Sequence, residues 1–97
     1  MANYTVSTAK HASLAAATAD LVTLTGSVNQ VTVFAHTTGT PAAVYFTVGD
    51  EPTTAVSAAD NTYVVYPGSN FTVKFDGTAA KVSLISSAIT AYSVVAS

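Results

Sequence analysis

From residue 20 onward the chain alternates between short runs in which every second residue is apolar and brief clusters of Gly, Pro, Asp and Ser. Successive side chains of an extended backbone point to opposite faces, so a period of two marks a strand with one buried face. Leu21-Val22-Thr23-Leu24-Thr25 is the first such run, and Gly26-Ser27 interrupts it. Val31, Val33 and Ala35 share one face of the next, with Thr32, Phe34 and His36 on the other. After the loop Thr37-Thr38-Gly39-Thr40-Pro41 the alternation resumes at Val44, Phe46 and Val48, which predicts a hairpin with a somewhat long loop. Gly49-Asp50-Glu51-Pro52 ends that strand, and the Thr-, Ser- and Ala-rich residues 53–61 form a connection. Tyr63-Val64-Val65-Tyr66 reads as a strand stopped by the turn pair Pro67-Gly68. Phe71, Val73 and Phe75 make the cleanest stripe in the chain, and Asp76-Gly77 behind them is the favoured type I′ hairpin dipeptide. Residues 81–85 are then the return strand, and Ala91-Tyr92-Ser93-Val94-Val95 closes the chain.

Seven short strands separated by turns, with no apolar stripe at helical spacing, predict an all-β fold: an antiparallel β-sandwich of about seven strands, with a small β-barrel as the alternative. The start of the chain differs. Residues 9–19 are Ala-rich, which favours helix, but Thr5, Ser7, Thr8, Ser13 and Thr18 compete for backbone hydrogen bonds and Leu14 stands alone as a large apolar residue. Residues 1–19 therefore read as an extended N-terminal arm, and residues 20–97 as the β-sandwich domain.

Composition narrows the function more than the fold. A chain of 97 residues supports one core. Apolar residues make up 49%, yet much of that is Ala and Val, with five Tyr, four Phe and no Trp, so the core is thin and part of the stability is expected to come from a partner. Charged residues are only 8%, against about a quarter in ordinary domains. Three Lys (Lys10, Lys74, Lys81), five acidic residues (Asp20, Asp50, Glu51, Asp60, Asp76) and no Arg leave too little positive charge to neutralise several phosphates, which argues against nucleic acid and against an anionic membrane surface. Cysteine is absent, so a disulfide framework, a thiolate nucleophile and a Cys-based metal site are excluded. No leader-like segment opens the sequence and no apolar run approaches a membrane span, so a product made in the cytoplasm is expected.

The residue types that do chemistry are nearly missing, and no enzyme and no cofactor are expected. His11 and His36 are the only imidazoles, 25 residues apart, without the short spacing of a metal site. Asp50 and Glu51, flanked by Gly49 and Pro52, read as a solvated turn, and Asp50, Glu51 and Asp60 lack the spacing of a Ca²⁺ loop. The many Ser and Thr stand in neither a GxSxG elbow nor an SxxK motif, and the five Gly never cluster into a phosphate loop. Tyr4, Tyr45, Tyr63, Tyr66 and Tyr92 could stack on sugar rings, but Tyr is equally at home packing in strands.

In style the chain resembles the small all-β virion proteins of tailed bacteriophages that coat the head as decoration or cement proteins. The likeness rests on the start "YTVSTAKHASLAAATADLVTLTG", on "VTVFAHTTGTPAAVYFTVG" with its Pro-containing loop, on "TYVVYPGSNFTVKF" and on the ending "KVSLISSAITAYSVVAS". It implies a structural protein on the capsid exterior, made in the host cytoplasm, whose partners are the major capsid protein and neighbouring copies of itself, as a homotrimer; it carries no catalytic residues. Under that resemblance the candidate contact residues are Tyr4, Val6, His11 and Leu14 in the arm, and Tyr45 and Tyr66 in the β-domain. A surface so poor in charge agrees, because interface centres are depleted in Lys, Glu and Asp. The alternative is a tail-tip, fibre-base or cell-surface β-module that recognises a receptor or glycan through exposed Tyr.

Overall fold

The computed structural model describes residues 2–49 and 62–97. Every regular element in it is a strand: β1 (Asn3–Val6), β2 (Ala9–Leu14), β3 (Asp20–Ala35), β4 (Val44–Gly49), β5 (Tyr63–Val65), β6 (Asn70–Ser86) and β7 (Thr90–Ala96). They form one seven-stranded hydrogen-bonded sheet in the order β2-β7-β3-β6-β4-β5, with β1 added beside the first half of β3. All pairings are antiparallel except β1 with β3. The all-β, antiparallel expectation is met, and the hydrogen-bond ladder does not break into two separate sheets.

The two long strands organise the molecule. At about 3.3 Å per residue a straight strand of 16 or 17 residues would exceed 50 Å, whereas the longest dimension of the fold is 34 Å, so β3 and β6 must bend. Their pairing shows where. Between Leu24↔Ala80 and Ser27↔Thr78, β3 advances three residues while β6 advances two; between Val28↔Gly77 and Gln30↔Lys74 the reverse holds. Each strand thus carries one extra residue, a bulge that bends it. In β3 the buried positions are Asp20, Val22, Leu24 and Val28 and then Val31, Val33 and Ala35, so the inward face changes between Val28 and Val31, opposite the extra residue of β6. In β6 they change from half-buried Val73 and Phe75 to fully buried Ala80, Val82 and Leu84. Both halves of the bent sheet therefore turn one face onto a single core, which Leu14, Val44, Phe46, Val65, Tyr92 and Val94 complete. Each of these large side chains contributes about 1.5–3 kcal/mol by leaving water.

Three local expectations give way to this long-range pairing. Asp76-Gly77 does not reverse the chain: residues 71–75 and 81–85 belong to one strand, because both halves of β6 pair with the continuous β3. Gly26-Ser27 likewise sits in a bulge inside β3, with the Gly26 amide bonded to the Ser7 carbonyl at 3.2 Å. A Cβ at Gly26 would stand 3.1 Å from that oxygen, a tight contact that a larger residue could keep only if the Ser7 carbonyl gave way by a few tenths of an ångström. Finally, β3 and β4 do not form a hairpin, since β4 pairs with β6 and β5 instead. The count of seven survives because two pairs of expected strands merge and the N-terminal segment supplies β1 and β2. That segment is extended, as read, but it is built into the sheet rather than lying apart from it. The expected connection over residues 53–61, and the turn and Ca²⁺ readings at Asp50, Glu51 and Asp60, lie outside the described residues.

One polar pair is buried with the core. Tyr92, fully buried on β7, donates its hydroxyl to Oδ2 of Asp20, 3% exposed at the start of β3, at 3.0 Å. Burial first, and the adjacent Asp20 carboxylate next, push the Tyr92 hydroxyl far above the usual phenol range. The pair thereby fixes the entry of β3 against β7.

Candidate functional site

The strand registers bring four connections to one end of the sheet: residues 15–19, 36–43, 66–69 and 87–89. Leu14 stands opposite Thr90, Ala35 opposite Tyr92, Phe34 opposite Asn70, and Val44 opposite both Ser86 and Val65, so every strand adjoining these loops begins or ends there. Backbone and hydroxyl bonds tie the loops together. The Ala17 amide donates to the Ser86 carbonyl at 2.8 Å and the Gly68 amide to the Ala35 carbonyl at 2.7 Å. Buried Thr90 accepts from the Ala42 amide at 3.2 Å and donates to the Ala88 carbonyl at 3.1 Å, while Ser86 Oγ donates to the Ala43 carbonyl at 3.0 Å. Tyr66-Pro67-Gly68-Ser69 is a type II turn: Gly68 has φ +83°, and the Ser69 amide bonds the Tyr66 carbonyl at 3.0 Å.

This end has a distinct surface chemistry. Its four loops hold no Lys, Arg, Asp or Glu, and the one carboxylate beside them, Asp20, is buried against Tyr92. The other charged side chains among the described residues, Lys10, Lys74, Asp76 and Lys81, each stand four or more residues along their strands from that end. Large apolar side chains gather where charge is missing: Ile89 is 70% exposed, Tyr66 64% and Phe34 37%. Two open clefts flank the loop that follows β3. One, about 430 Å³, is lined by Ser13, Thr38, Gly39, Thr40, Ile89 and Ala91 among others. The second, about 240 Å³, lies between Phe34, His36 and the 68–70 segment.

Beside the clefts, on the outer face of β2, β7 and the end of β3, the two histidines meet. Nδ1 of His11 lies 2.6 Å and Nε2 of His36 2.7 Å from the same atom, Oγ of Ser93. Ser93 on β7 is the register partner of His11 on β2 and of Phe34 on β3. Both imidazoles therefore lean over it from the neighbouring strands. Nothing in the linear spacing signals this; it follows from β2 and β3 pairing with opposite edges of β7.

The six anticipated contact residues are scattered. Tyr66 stands at the loop end, and His11 borders it. Tyr45 lies half-buried on the outer face of β4, opposite Ile85 and Val64. Tyr4 and Val6 are half-buried and pack against the core, with the Lys10 ammonium 4.2 Å from the Tyr4 ring centre. Leu14 is a correction: at 0% exposure it is a core residue, removed from any partner by the pairing of β2 with β7. Among the remaining aromatics, Tyr63 and Phe71 pack with Phe46 in a three-ring cluster at 5.5–6.0 Å. Ile89 and Ser93 were not anticipated, and His36 was weighed only as an imidazole without metal-site spacing. For Ile89 the signal was available, since a large apolar residue in an otherwise polar turn has no core to serve. No family model matches the chain, and no curated protein or solved structure matches it.

Proposed function

We propose that this chain is a structural virion protein that binds the outer surface of a bacteriophage capsid and stabilises it as a decoration protein, docking through the uncharged loop end. The observation that carries the proposal is the separation, among the described residues, of charge from exposed apolar surface. A docking surface loses its water, and unpaired charges there are costly, so interface centres favour aromatic and aliphatic anchors over Lys and Asp. Ile89, Tyr66 and Phe34 are such anchors, and the clefts beside them accept apolar or hydroxyl side chains of a protein partner. The partner is the major capsid protein, with further copies of this chain beside it as a trimer.

Co-sedimentation with purified phage heads that lack this protein tests the proposal. Binding is expected to change little between about 0.05 and 1 M salt, because neutral contacts are not screened. Ile89→Asp and Tyr66→Asp, at exposed positions, should leave the melting temperature unchanged and weaken binding roughly thirtyfold or more, the effect of about 2 kcal/mol for burying an unpaired carboxylate. Binding that is lost at high salt, or that ignores both substitutions, would remove the loop end from the account. Saturable binding to a glycan array, abolished by Tyr66→Ala, would favour the receptor-recognising module instead.

A further inference from the structure

We propose that His11 and His36, with the Ser93 hydroxyl between them, bind one divalent transition-metal ion of the zinc, nickel or copper kind. The inference is independent of the capsid reading and rests on the convergence of the chain's only two imidazoles. Their facing nitrogens lie 2.6 and 2.7 Å from one oxygen, so they are at most 5.3 Å apart. Around a tetrahedral ion with bonds of about 2.0–2.1 Å, ligand atoms stand roughly 3.3 Å from one another. Each ring nitrogen then stands about 3.3 Å from Ser93 Oγ instead of 2.6–2.7 Å, and rotation of the two exposed side chains brings the nitrogens to the same spacing from each other. β2 and β7, which hold His11 and Ser93, are neighbours in the ladder, and His36, one residue past the end of β3, is tied to β7 by its amide on the Ala91 carbonyl at 3.0 Å, which keeps the donors in place.

The donor chemistry selects the metal class. Imidazole nitrogen suits Zn²⁺, Cu²⁺ and Ni²⁺, whereas Ca²⁺ and Mg²⁺ require several oxygen ligands, and no carboxylate belongs to this group. Both histidines are exposed and His36 lines the smaller cleft, so water can fill the remaining coordination positions. No cluster of three or more His, Cys, Asp or Glu able to hold a metal occurs among the described residues, so the site is weaker than a four-ligand structural zinc centre. Proton bookkeeping is simple. With both rings neutral, one facing nitrogen accepts the single Ser93 proton and the other donates its own N–H. Binding requires the donating ring to move that proton to its far nitrogen, through water, so that both facing lone pairs reach the ion; the serine stays a neutral hydroxyl. The bound ion links β2 to β3 across β7 and ties the N-terminal strands to the sheet.

The test uses the full chain, stripped with a chelator and titrated by calorimetry with ZnCl₂ and with NiCl₂ at pH 7.5. One saturable site per chain is expected, together with a rise in melting temperature that grows with metal concentration. His11→Ala and His36→Ala should each weaken binding at least tenfold and abolish the rise, while melting in metal-free buffer verifies that both variants fold. With Cu²⁺ in place of Zn²⁺, paramagnetic resonance should show coupling to two nitrogens. Absence of saturation up to about 1 mM metal, affinity that survives either histidine substitution, or coupling to a single nitrogen would each overturn the proposal.

Discussion

Replacing Tyr92 by Phe removes one oxygen atom and leaves the ring, so it isolates the buried hydroxyl that serves Asp20. Tyr92 is fully buried and Asp20 3% exposed, so water cannot readily take the hydroxyl's place on Oδ2. A hydrogen bond to a charged acceptor contributes about 1.5–3 kcal/mol net. Taking about 2 kcal/mol, and about 4–8 °C per kcal/mol for a domain of this size, the melting temperature at pH 7 should fall by roughly 8–16 °C. The same structure predicts how that gap changes with pH. The folded Tyr92 holds its proton well above the ordinary phenol value of about 10, whereas the unfolded chain releases it near 10. The stabilisation is therefore intact below pH 10 and declines above it, by about 1.4 kcal/mol at pH 11. The phenylalanine ring of the variant has no proton to lose, and the other four tyrosines are common to both proteins. Urea unfolding of wild type and Y92F at pH 7 and pH 11 should show a difference of about 2 kcal/mol shrinking to less than about 1. An equal gap at both values, or no gap at pH 7, would refute a buried Tyr92–Asp20 pair.

Other consequences of the fold can be measured directly. Deleting residues 2–17 removes β1, β2 and the buried Leu14, so the shortened chain should lose cooperative thermal unfolding rather than persist as a trimmed domain. Ala79 sits in β6 at φ 58°, where a Cβ is crowded; A79G should stabilise by about 0.5–1 kcal/mol in a denaturant titration, the relief of strain outweighing the added chain entropy. Gly68 needs its φ of +83°, and a Cβ there would meet the Thr37 methyl at 3.1 Å, so G68A should cost about 1–2 kcal/mol in the same assay.

Strand positions were legible in the sequence because period-two alternation is local: Val31, Val33 and Ala35 are buried as their pattern demands, and so are Val44 and Phe46. Connectivity was not, because a bulge and a turn look alike from nearby residues. Gly26-Ser27 and Asp76-Gly77 both carry turn chemistry, yet each lies within a strand whose halves share a partner. In β6 the inward set flips from odd to even numbers across Gly77, and in β3 from even to odd between Val28 and Val31, opposite the extra residue of β6; such flips show the bulge only once the partner strand is known. For the N-terminal segment the sequence offered only alanines and hydroxyls. Its place is set by β7, whose Val94 and Tyr92 face the core while its free edge takes up β2. The histidine pair was invisible for a related reason, since His11 and His36 meet through Ser93, a residue with no pattern of its own. The uncharged end was half-visible: the sequence shows how few charges there are, and only the register shows that, among the described residues, Lys10, Lys74, Asp76 and Lys81 stand away from the four loops.

Imaging by electron cryomicroscopy of purified phage heads incubated with this protein tests the central claim most directly. The account predicts density for the chain on the outer face of the shell, with the loops around Tyr66, Ile89 and His36 against capsid subunits and the Lys74, Asp76 and Lys81 end toward solvent. Particles whose shell lacks the protein, or hold it with the charged end against the capsid, would contradict it.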